Sequence, residues 1–268
     1  SFRAEIKSNI PIQAGCSSSS SIMVGWIRFL SQIADNPIIW PAEKIAKLAY
    51  KSEVLEFSEP GGMMDQYSTA LGGLIYLESN PKIYIKKLKP LSGTFILGDS
   101  FQPKNTLGIL KRCKNKRLNI LKKLKHKNPN LNFDNIEITD LKNNSKILNK
   151  KEKKLINATI ENRNILKLGL LELNKKNPNQ ILIGELLTQQ HSILRDDLCI
   201  STSKIDLMLE AALNAGALGG KINGSGGGGC MFVYAPNNPE KVAESIEKVG
   251  GKTYLIETSK NDYSMKYN

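Results

Sequence analysis

The sequence predicts an α+β fold of two lobes. Strands and helices are interspersed without strict alternation, helical stretches dominate after about residue 100, and 268 residues suffice for two compact domains or one large one. No repeat of solenoid period interrupts this pattern.

In chain order, FRAEIKS (2–8) alternates apolar and polar residues and reads as a strand. Residues 18–34 carry an apolar pattern of helical period that stops near Asp35-Asn36-Pro37. A second helix is expected over 42–57, entered after Pro41 and stopped before Pro60. GGLIYLE (72–78) and KIYIKKL (82–88), separated by Ser79-Asn80-Pro81, read as a hairpin, and TFILGDS (94–100) as a further, buried strand. Helical patterns follow over 104–126, 150–174 and 181–194, with a polar loop between the first two. A helix over 203–214 leads into a glycine-rich stretch. Strand CMFVYAP (230–236), helix EKVAESIEKV (240–249) and strand KTYLIET (252–258) close the pattern.

Composition excludes several classes. With 40% hydrophobic and 24% charged residues the chain is an ordinary globular one. No run reaches the roughly 18 uninterrupted apolar residues of a membrane span. Residues 22–30 are too short for a secretory leader and contain Arg28. Cys16, Cys113, Cys199 and Cys230 form no C-x-x-C pair and have no histidine at metal spacing, which argues for reduced thiols in a cytosolic setting and against zinc. Much of the net charge of +13 sits in 111–132 and in the Lys/Asn-rich stretch 143–155. That region lacks aromatic residues for base stacking, so it reads as a solvated helical face, with a functional basic patch as the alternative; no nucleic-acid partner is expected.

Three stretches can carry chemistry. In IPIQAGCSSSSS (10–21) a glycine and small hydroxyl residues stand at the mouth of a helix, where backbone N–H groups and the helix dipole favour an anion; a linker or simple N-cap is the alternative. It lacks the G-K-[ST] ending of a Walker loop. In EPGGMMDQYSTALGGLIYLE (59–78), Asp65 stands where a helix should begin, either capping it or accepting a proton from a substrate hydroxyl. Glu53 lies on the preceding helix, and acidic groups near a phosphate loop are what a magnesium–nucleotide site needs. In GGKINGSGGGGCMFVYAP (219–236) the glycine density fits a backbone that approaches something closely, or else a flexible turn.

In this order the three stretches resemble the GHMP small-molecule kinases, within them the galactokinase-like branch. Pro11-Ile-Gln-Ala-Gly15-Cys16-Ser17-Ser18-Ser19-Ser20 is similar to the family's P-x-x-x-G-L-[GS]-S-S-A motif, and Gly62-Met63-Met64-Asp65-Gln66 to G-I-M-D-Q. Residues 191–230 resemble the stretch from H-x-S-L-R-D-D to the M-T-G-[AG]-G-x-G-G-C glycine motif. The resemblance implies a two-lobed GHMP kinase fold, with residues 1–92 a partial N-terminal, ATP-binding domain and 93–268 a ferredoxin-like C-terminal domain. It implies ATP and Mg2+ as cofactors, a sugar as substrate and a sugar 1-phosphate as product. Gly15, Cys16, Ser17, Ser18, Ser19 and Ser20 would wrap the nucleotide phosphates, and Ser19 with Glu53 would hold the metal. Asp65 would be the catalytic aspartate. Gly62, Asp65, Gly224, Gly226, Gly228 and Gly229 would surround the substrate.

The sequence also departs from the family pattern. No G-R-x-N-[LI]-I-G-E-H-x-D-Y signature is present, and the chain begins at Ser1 without methionine, so the first part of the N-terminal lobe is expected upstream. Cys16 replaces the usual leucine, Pro60-Gly61 replaces Pro-Cys, and PKNTLGILKR stands where galactokinases carry a tyrosine near the sugar. The resemblance implies galactose as the default acceptor and these departures leave room for a related sugar; a galactokinase-like sensor that binds ATP and sugar without turnover is the alternative.

Overall fold

In the computed structural model, residues 2–59, 61–79, 82–104, 106–144 and 146–258 are described. The first unit stacks three helices on a hairpin. Helix α1 (Ser18–Ile33), α2 (Ala42–Tyr50) and α3 (Met64–Leu71) bury Val24, Ile45, Ala46, Ala49, Tyr67, Ala70 and Leu71 together. Strands β1 (Leu74–Glu78) and β2 (Tyr84–Leu88) pair antiparallel beside them, with Leu74 opposite Leu88. The hairpin's turn at Asn80-Pro81 and the expected stop at Pro60 lie outside the described residues.

The second unit is built on β3 (Thr94–Asp99), β4 (Gly219–Ile222), β5 (Cys230–Ala235) and β6 (Lys252–Glu257). Their spatial order is β4-β5-β3-β6, every neighbour antiparallel. With helices between β3 and β4 and between β5 and β6, this is the β-α-β-β-α-β ferredoxin-like arrangement. Helices α7 (Gln180–Asp196), α8 (Ser203–Asn214) and α9 (Pro239–Lys248) pack on the sheet. Helix α8 shows why: Ile205, Met208, Leu209 and Ala212 recur at three- and four-residue spacing, so one stripe faces the core cluster with Ile96, Met231, Val233 and Ile246.

Between β3 and α7 the chain makes a helical excursion: α4 (Thr106–Lys125), α5 (Ile138–Asn143) and α6 (Lys150–Leu173). The basic helix α4 turns Ile120, Leu121 and Leu124 onto Ile156 and Ile160 of α6, which leaves lysines outward; Lys123 pairs with Glu152 at 2.6 Å. No helix among the described residues is long and apolar enough to cross a membrane.

Four local expectations are corrected. Residues 2–8 form no strand, because a strand needs a ladder partner and none is present among the described residues; instead Phe2 packs edge-to-face against Phe29 with ring centroids 5.4 Å apart. The helix expected over 42–57 is α-helical only to Tyr50 and widens into a π-helical turn over Lys51–Leu55, where the Glu56 N–H reaches the Lys51 carbonyl at 3.0 Å. Helix α5 lies within the stretch expected to be polar loop, its start fixed by a capping box between Glu137 and Asp140. Strand β4 arises from GGKI, a glycine-rich segment that reads as turn; it is a strand because β5 supplies a ladder and because α7 approaches so closely at Gly184 that a side chain at 219 has no room.

Candidate active site

The IPIQAGCSSSSS stretch makes a turn over residues 12–15 and enters α1 at Ser18. Ser17, the N-cap residue, makes no side-chain cap bond, and the first turn holds no acidic residue, so the amides that open α1 are free of the usual protein caps. Cys16 turns into the protein, where its thiol lies 3.3 Å from that of Cys230, and both join Ala14 and Leu97 in a small apolar cluster. This hydrogen bond, and then burial, push the Cys230 thiol well above its ordinary value, so Cys230 stays protonated. A small apolar side chain at 16 thus anchors the turn.

The glycine-rich loop is laid directly on this turn. Cys230 N–H donates to the Ala14 carbonyl at 3.0 Å and the Asn223 side-chain amide to the Gly15 carbonyl at 2.9 Å. Gly229 N–H donates to the Gln102 carbonyl at 2.9 Å, and Ser100 Oγ donates to the Gly229 carbonyl at 2.6 Å. At Gly229 the backbone is left-handed (φ 73°), and a methyl there would lie 2.5 Å from the Ala14 carbonyl oxygen. Close approach, not flexibility, explains these glycines.

His191 holds the loop from behind. Its Nε2 donates to Asp206 Oδ1 at 3.1 Å, and its Nδ1 accepts from the Ile222 N–H at 3.3 Å, at the end of β4. Ser201 also donates to Asp206 Oδ1, at 2.5 Å. Accepting at Nδ1 requires the neutral ring, and burial lowers the His191 pKa despite the partly offsetting Asp206. The stretch that resembles H-x-S-L-R-D-D therefore opens on a residue of a positioning network.

A cleft of about 290 Å³ opens between the two units, lined among others by Gly15, Ser20, Glu53, Asp65, Lys104 and Gly224. Asp65 is exposed in the first turn of α3, whose N-cap is Met63, so it is not the helix cap. Glu53, on the π-helical turn, accepts from Ser20 Oγ at 2.7 Å and from Gln66 Nε2 at 2.6 Å. Ser20 is buried, whereas Ser19 is exposed and does not line the cleft. The hydroxyl beside Glu53 is thus one residue further on than the motif suggests. Gly62 and Gly224 line the cleft; Gly226, Gly228 and Gly229 do not, and meet the backbone of Ile200, Pro103 and Ala14 instead. Cys16, Ser17 and Ser18 likewise stand outside the lining.

Two charged residues that the motifs did not single out also face the cleft, Glu59 and Lys104. Lys104, at the end of the loop after β3, donates to the Asn223 carbonyl at 3.3 Å. Burial lowers its pKa, opposed by the negative charge of Asp65, which places these two groups within electrostatic reach. A single lysine in a lysine-rich chain gives no sequence signal; PKNT directly after a strand was the only available hint. For a divalent cation, the described residues offer no cluster of three His, Cys, Asp or Glu. They do offer one carboxylate, one hydroxyl and the Gln66 Oε1, a buried oxygen without a hydrogen-bond partner. That oxygen set fits Mg2+, which takes one or two carboxylates and completes its shell with phosphates and water.

Comparison with known proteins agrees with this architecture. A sequence model of the GHMP kinases N terminal domain matches residues 1–73, and one of the GHMP kinases C terminal domain matches residues 170–252. Mevalonate kinase of Pyrococcus abyssi is 28% identical over 255 residues, covering 95% of this chain. The chain spans 66% of that relative's length. A galactokinase of Mycobacterium tuberculosis is 39% identical over 66 residues, 24% of this chain and 18% of the relative. In fold, Lactococcus lactis galactokinase complexed with galactose superposes with a TM-score of 0.76 at 19% identity, over 93% of this chain and 67% of that one.

Proposed function

The chain belongs to the GHMP kinase family, and on that premise we propose that it transfers the γ-phosphate of ATP to the anomeric hydroxyl of a monosaccharide, galactose or a related sugar. The observation that carries this reading is the convergence of Asp65, Glu53 with Ser20, Lys104 and the Gly15 and Gly224 loops on one cleft. Asp65 accepts the proton of the acceptor hydroxyl while that oxygen bonds to the γ-phosphorus and the bond to the β-phosphate oxygen breaks, leaving ADP. The uncapped start of α1 and the turn at Gly15 receive phosphate oxygens through backbone N–H groups. Glu53 and Ser20 are the residues to hold Mg2+, which when bound neutralises phosphate charge. The His191 network and the glycine contacts fix the loop that closes the cleft, the positioning that phosphoryl transfer needs most.

The sugar assignment draws on the G-M-M-D-Q segment and on the galactokinase likeness. A second reading, mevalonate as acceptor, is favoured by the Pyrococcus relative, whose similarity runs the length of this chain. ADP release by the full-length protein, measured against a panel of aldoses and mevalonate, separates the two. Asp65→Asn should lower turnover on the active acceptor by roughly 10²- to 10⁴-fold. Binding of ATP and sugar without ADP release from the parent protein would identify a sensor; turnover that survives Asp65→Asn would remove Asp65 from the chemistry.

A further inference from the structure

We propose that Lys104 grips the terminal phosphate of the bound nucleotide, so that the cation of the reaction centre comes from the loop after β3. This rests on the kinase reading above. The Nζ of Lys104 lies between the two backbone loops: a methyl group at Gly15 would lie 2.1 Å from it and one at Gly224 3.0 Å from it. These loops supply the N–H groups suited to phosphate, and Lys104 lies between them on the wall of the same cleft.

The ammonium has three donors and places one on the neutral Asn223 carbonyl, 3.3 Å away. Among the described residues it has no ion-pair partner. Glu53, the half-buried carboxylate of the cleft, is committed to Ser20 and Gln66. Asp65 acts on Lys104 only through space, partly offsetting the burial that lowers its pKa. A cation taken partly out of water without a counter-ion is costly unless a ligand supplies the charge. The same wall carries a second unsatisfied group, the buried Ser225 hydroxyl, which has no hydrogen-bond partner. An ammonium and a hydroxyl with donors to spare, flanked by backbone loops, form a site for an anion carrying several oxygens.

A structural alternative has Lys104 only cementing the glycine loop through Asn223, and nucleotide selectivity tells the two apart. Charge-assisted hydrogen bonds to phosphate are individually strong, so Lys104→Met should weaken ATP binding by roughly ten- to a hundredfold while ADP affinity changes by no more than about threefold. Lys104→Arg should retain most of the preference for ATP. In the parent protein, which removes any question of folding, ATP should shield Lys104 from acetylation by acetic anhydride, followed by mass spectrometry, and ADP should not. A preference for ATP over ADP that survives Lys104→Met, or equal labelling of Lys104 with ATP and ADP, overturns the assignment and leaves the kinase reading standing. A parent protein that binds neither nucleotide overturns both.

Discussion

Gly229→Ala tests whether the glycine loop is built for close contact. An L-residue held at φ 73° costs about 1–2 kcal/mol. The added methyl would lie 2.5 Å from the Ala14 carbonyl oxygen and 3.0 Å from its carbonyl carbon, both main chain, so relief requires the two loops to separate. Overpacking of this kind costs about 1–3 kcal/mol. Separation also stretches the 3.0 Å bond from Cys230 N–H to Ala14, worth about 1 kcal/mol. The total is about 3–6 kcal/mol, or a fall in Tm of roughly 6–24 °C for a chain of this size. The internal control is Gly25→Ala in α1, where no atom lies within 4 Å of the added methyl; it should stabilise by about 0.5–1 kcal/mol. Thermal and urea unfolding followed by circular dichroism measure both. If Gly229→Ala melts within about 2 °C of the parent, or if the two variants shift in the same direction, the close-contact account of the loop is wrong.

Two further outcomes follow from the site. Because burial lowers the His191 pKa in the folded state, the unfolded chain binds the extra proton first as pH falls through the ordinary histidine value. The stability this network contributes is therefore complete above about pH 6.5 and declines below it. His191→Gln should remove part of that decline in urea titrations between pH 7 and pH 5.5, although Asp206, bonded to the ring, and the charges of Arg195 and Lys221 also act on it; an unchanged slope would refute it. At the pair proposed to hold Mg2+, Ser20→Ala removes the hydroxyl 2.7 Å from Glu53 and should raise the Mg2+ concentration for half-maximal nucleotide binding by about tenfold. Ser19→Ala, at an exposed position outside the cleft lining, should leave it unchanged; the opposite ranking would restore the metal role to Ser19.

The parts of the fold that were legible are those in which local pattern and burial agree. The α8 stripe of Ile205, Met208, Leu209 and Ala212 needs only the helical period to be seen. CMFVYA and TFILGD are short apolar runs that sit between two layers and read as strands. GGKI does not, since its strand character comes from β5 and from the approach of α7 at Gly184. FRAEIKS alternates as a strand should, but alternation without a ladder partner makes none.

The sequence by itself determined the chemistry available to this protein. It placed the small residues before α1, the acid that opens α3 and the glycines before β5, in an order that a kinase family shares. Only the tertiary structure decided how those groups are used. It put Ser20 and not Ser19 beside Glu53, because the helical turn fixes which hydroxyl faces α2's π-helical end. It turned Gly226, Gly228 and Gly229 toward main chain and not toward the cleft. It brought Lys104, from a loop with no motif, between Gly15 and Gly224. The physical reason is common to all three: residue type and spacing are local, whereas burial, charge pairing and contact distance arise only when segments remote in sequence share one volume.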